Sequence, residues 1–140
     1  MYLGNLPTPM TYKFEFDPQN RILLLRVEGR LTDELATELY WGVRKYSIAT
    51  DASAGIWDLS SVTELDVSPE MIHAVASREP AMPDAGRPRC LVAPPMAGLG
   101  LSRLYEFASR DKNPLLQVVL SRDEALAALG VQSPGFKPLK

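Results

Sequence analysis

The sequence has one cysteine and one histidine, and this scarcity excludes several kinds of site. Cys90 cannot form an internal disulfide, and it lies in the apolar stretch RCLVA, where a free thiol behaves as a small hydrophobic side chain. This favours a reducing, cytoplasmic setting. His73 and Cys90 together cannot fill a zinc coordination shell, so we expect no metal site. His73 also lies five positions after Ser68, off the face of that serine on a helix, which argues against a serine hydrolase.

The sequence also lacks an excess of positive charge and any long apolar run. Its formal net charge is -2, which leaves no surplus of lysine and arginine to hold a phosphate backbone, so nucleic acid is not an expected partner. The N-terminal segment MYLGNLPTPM has neither a basic start nor a sustained apolar stretch. No apolar stretch approaches the roughly 20 residues that a membrane-spanning helix requires. We therefore expect neither export nor membrane insertion.

The 140 residues fit one domain, and folding at this length removes roughly two thirds of the unfolded surface from water. Prolines occur in both end segments. We therefore predict an irregular N-terminal tail over 1–11, a folded domain over 12–130 and an irregular C-terminal tail over 131–140. Phe136 and Leu139 are apolar enough to pack on another surface, and a second subunit is one candidate for that surface.

Hydrophobic periodicity divides the folded domain into strands and helices. YKFEFD alternates with period two, a DPQN turn follows it, and RILLLRVEG is a mostly apolar strand. Helix starts are marked by Thr32, by Ser68 with Pro69, and by a capping box of Ser121 and Glu124. The order β-β-α-β-α-β-α-β-α predicts a single-domain α/β fold: a mixed, mostly parallel five-stranded sheet flanked by helices, with the first strand antiparallel at or near one edge. The predicted strands cover 12–17, 21–29, 54–59, 89–93 and 115–120, and the predicted helices cover 33–47, 68–77, 101–111 and 121–130.

The stretch DLSSVTELDVSPEM, residues 58–71, is predicted to form the loop between the third strand and the second helix. Open α/β sheets bind ligands at the carboxyl ends of their strands, where this loop would lie. Asp58 and Asp66 are therefore either a carboxylate pair that acts on a substrate or acceptors for loop amides in Asx-turns. The candidate residues for binding a partner or ligand are Asp58, Ser60, Ser61, Asp66 and Ser68.

Ser68 has two interpretations. At the start of a helix it can accept a phosphoryl group, because the free amides and the helix dipole stabilise added negative charge by up to about 1 kcal/mol. It can equally be an N-cap residue before Pro69, which stabilises the helix by about 1 kcal/mol. Glu64, Asp66 and Glu70 are close to Ser68 in the sequence, and their charges would repel a phosphate.

The stretch PPMAGLGLSRL, residues 94–104, is a second candidate site because it follows the fourth strand and leads into a helix. The free amides of that helix could hold an anion, with Arg103 as a further contact. An apolar ligand could instead lie between the sheet and the helices, with the proline-rich segment 78–95 as a lid. The third interpretation is a plain strand-to-helix turn. The full dinucleotide fingerprint is absent, so no cofactor is expected. The candidate pocket residues are Met96, Gly98, Leu99, Gly100, Leu101 and Arg103.

Tyr40 and Trp41 are adjacent in the first helix, so their side chains must point in different directions. We expect one of them to cover an exposed patch. That patch is either a partner interface, where Trp and Tyr are enriched, or a packing surface for the N-terminal tail.

Several features together carry a family resemblance. They are the order of elements, the segments VEGRLT and DLS, a second aspartate at position 66 and the final VVLSRDEALAALG. They are similar to the SpoIIAA-like group related to STAS domains, the anti-sigma-factor antagonists. The resemblance runs from about Tyr12 to Gly130, and it implies the SpoIIAA-like α/β fold.

In that family, a loop of the pattern Asp-Ser-Ser-Gly carries a serine that a partner kinase phosphorylates. On this chain Asp66 matches the aspartate and Ser68 matches the phosphorylated serine, whereas Val67 and Pro69 replace the first serine and the glycine. The resemblance therefore implies Ser68 as the candidate phosphorylation site.

These observations predict a non-enzymatic regulatory or interaction domain that binds a protein partner through residues 58–71 and the following helix. Self-association as a homodimer is an alternative form of this partner binding. A different class of function is a small-molecule or lipid carrier with an apolar pocket near residues 94–104, since SpoIIAA-like domains resemble Sec14-type carriers in outline. An enzyme is the third hypothesis, and it would need Asp58 and Asp66 to lie together.

Overall fold

The computed structural model describes residues 11–95 and 98–139 of the chain. Most of the predicted N-terminal tail therefore lies outside the described residues. Within them, four helices cover a sheet of six strands. The elements are β1 (Thr11–Asp17), β2 (Ile22–Thr32), α1 (Asp33–Thr50), β3 (Ala54–Asp66), α2 (Pro69–Ser77), β4 (Arg89–Val92), α3 (Gly98–Ser109), β5 (Leu116–Val119), α4 (Arg122–Ala128) and β6 (Lys137–Pro138).

The strands lie side by side in the order β5-β4-β3-β2-β1-β6. β2, β3, β4 and β5 are parallel to one another, whereas β1 is antiparallel to β2 and β6 is antiparallel to β1. The predicted α/β fold, with a mostly parallel sheet and its first strand near an edge, is confirmed. The sheet differs from the prediction in having six strands rather than five, because the chain returns to the edge of β1 after α4.

Residues 131–139, predicted as an irregular tail, contribute to the folded structure. β6 adds a short edge strand to β1, and Gly135 donates its amide hydrogen to the buried carboxylate of Asp17 (3.1 Å). Phe136 packs against the core on one face of the sheet and Leu139 packs against the core on the other. The folded region therefore extends past the predicted boundary, and both apolar side chains pack against the cores of this chain.

β2 is buried on both faces of the sheet, which explains its nearly continuous apolar sequence. Leu23, Leu25 and Val27 pack into a core shared with α1 and α2. Ile22 and Leu24 point the other way and pack into a second core with α4. Alternation along one strand thus supplies two cores at once.

α1 lies close against β1. A Cβ atom on Gly42 would lie 2.7 Å from the ring of Phe14, so this approach requires the missing side chain of glycine. The two adjacent aromatic residues separate as predicted. Tyr40 is buried and its hydroxyl donates to the backbone carbonyl of Glu79, whereas Trp41 is 56% exposed.

Arg89, at the start of β4, is 2% exposed and organises the irregular segment before it. Burial lowers the pKa of its guanidinium. Four acceptors surround it, and all of them are neutral, so the cation is stabilised by backbone dipoles rather than by an ion pair. The acceptors are the carbonyl oxygens of Met82 (2.9 Å), Arg87 (2.9 and 3.1 Å) and Asp84, and Oδ1 of Asn113 (3.0 Å).

The outer edge of β5 has its backbone amides occupied. In a parallel strand alternate amides point away from the neighbouring strand, and unpaired amides at an edge can template pairing with another chain. Here three successive outward amides are bonded within the protein. They are Leu116 N to Asn113 O (3.1 Å), Val118 N to Glu106 Oε2 (3.3 Å) and Leu120 N to Glu124 Oε2 (3.2 Å).

Candidate functional site

The stretch 58–71 is mostly strand, which corrects the predicted loop. β3 continues to Asp66 and stays in parallel register with β2 along this length, with two irregularities that accommodate extra residues in β3. β4 pairs with β3 only as far as Asp58. The polar sequence SSVTELD carries no apolar run, and it becomes a strand because the end of β2 lies beside it. Among the described residues, the second half of β3 therefore extends beyond β4 and β5 and pairs with β2 alone.

Asp58 is a buried structural carboxylate. It is 3% exposed and accepts hydrogen bonds from the amide (2.9 Å) and hydroxyl (2.6 Å) of Ser60. Its other oxygen lies 3.0 Å from Nε and 2.9 Å from Nη2 of Arg122 on α4. Burial alone would raise the pKa of Asp58, but the bonds from Ser60 and Arg122 outweigh it and hold the pKa below its ordinary value. The carboxylate is therefore ionised, and both of its oxygens accept hydrogen bonds within the protein.

Asp66 lies at the far end of β3 and does not meet Asp58. Asp66 follows Asp58 by eight positions, which places them roughly 20 Å or more apart, at about 3.3 Å per strand residue with allowance for the bulges. Asp66 is exposed, and its carboxylate forms an ion pair with Nη2 of Arg30 (2.6 Å). Nε of the same arginine lies 3.6 Å from Oε2 of Glu64. The hypothesis of a catalytic pair made by Asp58 and Asp66 is thus contradicted by their positions. Ser61 is an exposed residue of the same strand, in register with Glu28 of β2.

Ser68 is the N-cap of α2, as predicted from its place before Pro69. Its hydroxyl oxygen accepts from the amide of Met71 (3.1 Å) and its hydroxyl donates to Oδ2 of Asp33 (2.9 Å). The amide of Ser68 also donates to Oδ1 of Asp33 (2.9 Å). Asp33 is the first residue of α1, so this carboxylate joins the starts of α1 and α2. Sequence analysis missed this contact because Asp33 and Ser68 are 35 positions apart.

The exposed residues of the second half of β3 and of α2 follow one another in the chain, and we call them together the β3–α2 surface. It carries three carboxylates and a single arginine from the neighbouring end of β2, so it is acidic. The only histidine of the chain is part of it. Its exposed residues are Ser60, Ser61, Thr63, Glu64, Asp66, Pro69, Glu70, His73 and Ala74, with Arg30 beside them.

Metal-binding, thiol-based and membrane-spanning functions each need particular groups or segments. No group of three His, Cys, Asp or Glu side chains there is placed to hold a metal ion. Cys90 is 1% exposed, and burial raises the pKa of its thiol to about 11, so it is protonated and packs as an apolar side chain, as predicted. No helix in the described part of the chain is long and apolar enough to cross a membrane.

A pocket of about 160 Å³ lies between the sheet and the helices α1, α2 and α3, and it is partly open to solvent. Its floor comes from β2, β3 and β4, and its walls are almost wholly apolar. The polar residues of the lining are Tyr40, Ser102 and Tyr105, and burial raises the pKa of the Tyr105 phenol to about 12. The apolar residues of the lining include Leu25, Leu39, Val43, Trp57, Leu59, Leu65, Val67, Met71, Ile72, Val75, Leu91 and Leu101.

The predicted pocket residues at the start of α3 occupy other positions. Leu99 and Gly100 are exposed, and Arg103 is exposed and lies 3.0 Å from Glu106 in an ion pair, so none of them lines the pocket. Gly98 is the first residue of α3. Met96 lies outside the described residues. The reason is that α3 begins before Leu101 and turns the face carrying Leu101, Ser102 and Tyr105 toward the sheet.

Two solved structures are similar to this one over nearly all of the described chain. A crystal structure of an anti-sigma factor antagonist from Mycobacterium paratuberculosis matches with a TM-score of 0.60 and 17% sequence identity, covering 89% of this chain and 99% of that chain. The structure of the anti-sigma factor antagonist SpoIIAA in its unphosphorylated form matches with a TM-score of 0.56 and 11% identity, covering 88% of this chain and 100% of that chain. No protein-family model and no curated protein matches the sequence.

The similarity to these two structures supports the fold that the sequence resemblance implies. At identities this low the agreement concerns the fold. The protein therefore has the SpoIIAA-like, STAS-type α/β fold.

Proposed function

We propose that this protein is a non-enzymatic, cytoplasmic regulatory domain that binds a protein partner through the β3–α2 surface. The observation that carries the proposal is that this surface is both exposed and rigidly held. Pairing with β2 fixes the second half of β3, and the Asp33 carboxylate fixes Ser68 at the start of α2. A surface fixed before binding loses little conformational entropy when a partner docks. The two solved structures of the same fold are described as anti-sigma factor antagonists, which adds support by analogy.

The charge of this surface indicates what kind of partner it fits. Glu64, Asp66 and Glu70 outnumber Arg30, and Glu64 and Asp66 already share that arginine. Complementary charge speeds association and excludes partners of the same sign. The expected partner surface is therefore basic, with small or polar residues where it meets Ser61 and Thr63.

The test is a charge reversal with a matched control on the other side of the sheet. Glu70→Lys changes an exposed acidic residue in the first turn of α2, and Asp123→Lys makes the same change in the first turn of α4. Tagged protein expressed in its source cell should recover a partner as wild type and as Asp123→Lys, and at least tenfold less with Glu70→Lys. Equal recovery by all three would contradict the proposal. If the partner is a second copy, the same pattern appears as loss of a homodimer in light scattering.

Control of this surface by phosphorylation of Ser68 is part of the proposal. The Asp33 carboxylate now accepts a hydrogen bond from the Ser68 hydroxyl. A phosphoryl group on Ser68 would add a charge of about −1.5 to −2 beside this carboxylate. The repulsion would separate the starts of α1 and α2. We expect protein from the source cell to carry phosphate on Ser68 in a fraction of molecules, mapped by mass spectrometry after denaturation. Ser68→Glu should lose the partner, whereas Ser68→Ala should keep it. A mass free of phosphate in growing, starved and stationary cells would refute this control.

A second candidate function is the carriage of a small molecule, and the pocket beneath α1, α2 and α3 favours it. Well-packed interiors contain few voids larger than a water molecule, so an apolar pocket of this size in a short chain needs an explanation. Gentle purification followed by extraction and mass spectrometry should recover a ligand in roughly stoichiometric amount. Empty extracts from repeated preparations would exclude carriage and leave the partner-binding function untouched.

A further inference from the structure

We propose that the apolar pocket binds one neutral small molecule the size of a single ring, an aromatic ring or a short branched chain, rather than the acyl chain of a lipid. This inference rests on the second proposed function, carriage, and it names the class of ligand. It assigns the site to the face of the sheet covered by α1, α2 and α3, away from the exposed residues at the start of α3.

The first argument is volume. The pocket holds about 160 Å³, and an apolar protein cavity of about 150 Å³ is known to stay dry and to bind benzene or xenon. A lipid acyl chain of about 16 carbon atoms is more than twice as large as the six-carbon ring that fills such a space. A ligand of about six to eight non-hydrogen atoms fits, and a longer one would have to extend out of the pocket.

The second argument is charge. Among the described residues, none that lines the pocket carries a charged side chain. Burying an ionised carboxylate or ammonium without a partner is strongly unfavourable, so a fatty acid head group or an amine is excluded from the interior. The hydroxyl of Tyr40 is already bonded to the Glu79 carbonyl, which leaves Ser102 and Tyr105 as the polar residues that a ligand can address. The ligand therefore has at most one or two polar atoms.

The third argument is shape. The lining contains aromatic rings from three different elements, namely Tyr40 on α1, Trp57 on β3 and Tyr105 on α3. Aromatic side chains favour offset or edge-to-face contact with another ring, worth more than their buried area alone. Two residues of the lining are alanines, Ala36 on α1 and Ala81 before β4. Larger side chains at these positions would fill the pocket.

The test uses toluene as the probe and Trp57 as the reporter. The chain has two tryptophans, and Trp41→Phe removes the exposed one, so that fluorescence reports on the pocket. In this background saturating toluene should raise the melting temperature by about 3 °C or more and should change the Trp57 emission with a saturable curve. Ala36→Leu fills the pocket from a helix and should weaken toluene binding at least tenfold. Ala49→Leu makes the same change on the exposed side of the same helix and should leave toluene binding unchanged.

The outcomes separate the inference from the function on which it rests. No saturable signal up to the solubility of toluene would overturn the inference. Equal affinity in Ala36→Leu and Ala49→Leu, when both melt cooperatively, would overturn it too. Ala81→Leu provides a second filled pocket if Ala36→Leu fails to fold. Recovery of a long-chain lipid that toluene cannot displace would support carriage but overturn the ligand class. Toluene binding with empty extracts from source cells would support the pocket and contradict carriage.

Discussion

Replacing Arg89 with methionine should lower the free energy of unfolding by about 3–5 kcal/mol. Methionine fills a similar volume but donates no hydrogen bonds. The carbonyls of Met82 and Arg87 would then lose the buried donor, whereas the carbonyl of Asp84 would keep the amide of Arg87 (3.1 Å). Urea unfolding followed by circular dichroism measures the change, and limited proteolysis should show earlier cleavage in the segment before β4.

The control for this change lies two positions away. Arg87 pairs with Asp51 and Asp84 near the surface, where ion pairs contribute about 0–1 kcal/mol. Arg87→Met should therefore cost no more than about 1 kcal/mol. Similar losses for the two variants would mean that the buried hydrogen bonds of Arg89 do not hold the irregular segment in place.

Asp58→Ala should cost about 3 kcal/mol at neutral pH, because it removes a buried acceptor and leaves Arg122 without its partner. Asp66→Ala is the matched control on the same strand. It breaks a contact of the same chemistry with Arg30, but both side chains are exposed, so its cost should stay below about 1 kcal/mol. Equal costs would show that burial of Asp58 adds nothing to its ion pair.

The contribution of Asp58 should also depend on pH. Its pKa in the folded protein lies below its ordinary value, so folding favours the ionised form. The stability that it adds is fully present above its unfolded pKa of about 3.9, and it is lost as the pH falls through the lower folded pKa. The difference in unfolding free energy between wild type and Asp58→Ala should thus be constant from about pH 5 to 8 and shrink below about pH 4. A difference that grows on acidification would contradict this assignment.

Local signals in the sequence were sufficient for most of the secondary structure. Period-two alternation marks β1, the continuous apolar run marks β2, and the caps at Thr32, Ser68 and Ser121 all accept the amide hydrogen bonds expected of them. The two strand features that were missed depend on pairing between distant segments. β6 contains only Lys137 and Pro138, and the polar end of β3 is a strand because β2 lies beside it.

The site was harder to predict because its contacts join residues that are far apart in the chain. Asp58 was predicted either to act on a substrate or to accept loop amides. It accepts the amide of Ser60, but its partner Arg122 is 64 positions away. The Asp33 contact with Ser68 has no local pattern either. The pocket requires three helices to be placed over the sheet, and no single stretch contains that information. Of the described residues that were predicted to contact an apolar ligand, Leu101 lines the pocket and Leu99 does not.

The bonded amides of β5 bear on the behaviour of the protein at high concentration. Leu115 and Leu120 are exposed beside this edge, and a bare strand flanked by leucines would invite edge-to-edge stacking and fibril growth. Here an incoming strand would first have to displace the carboxylates of Glu106 and Glu124 from the amides that they occupy. The exposed leucines can therefore meet another protein through their side chains while the end of the sheet remains closed to polymerisation.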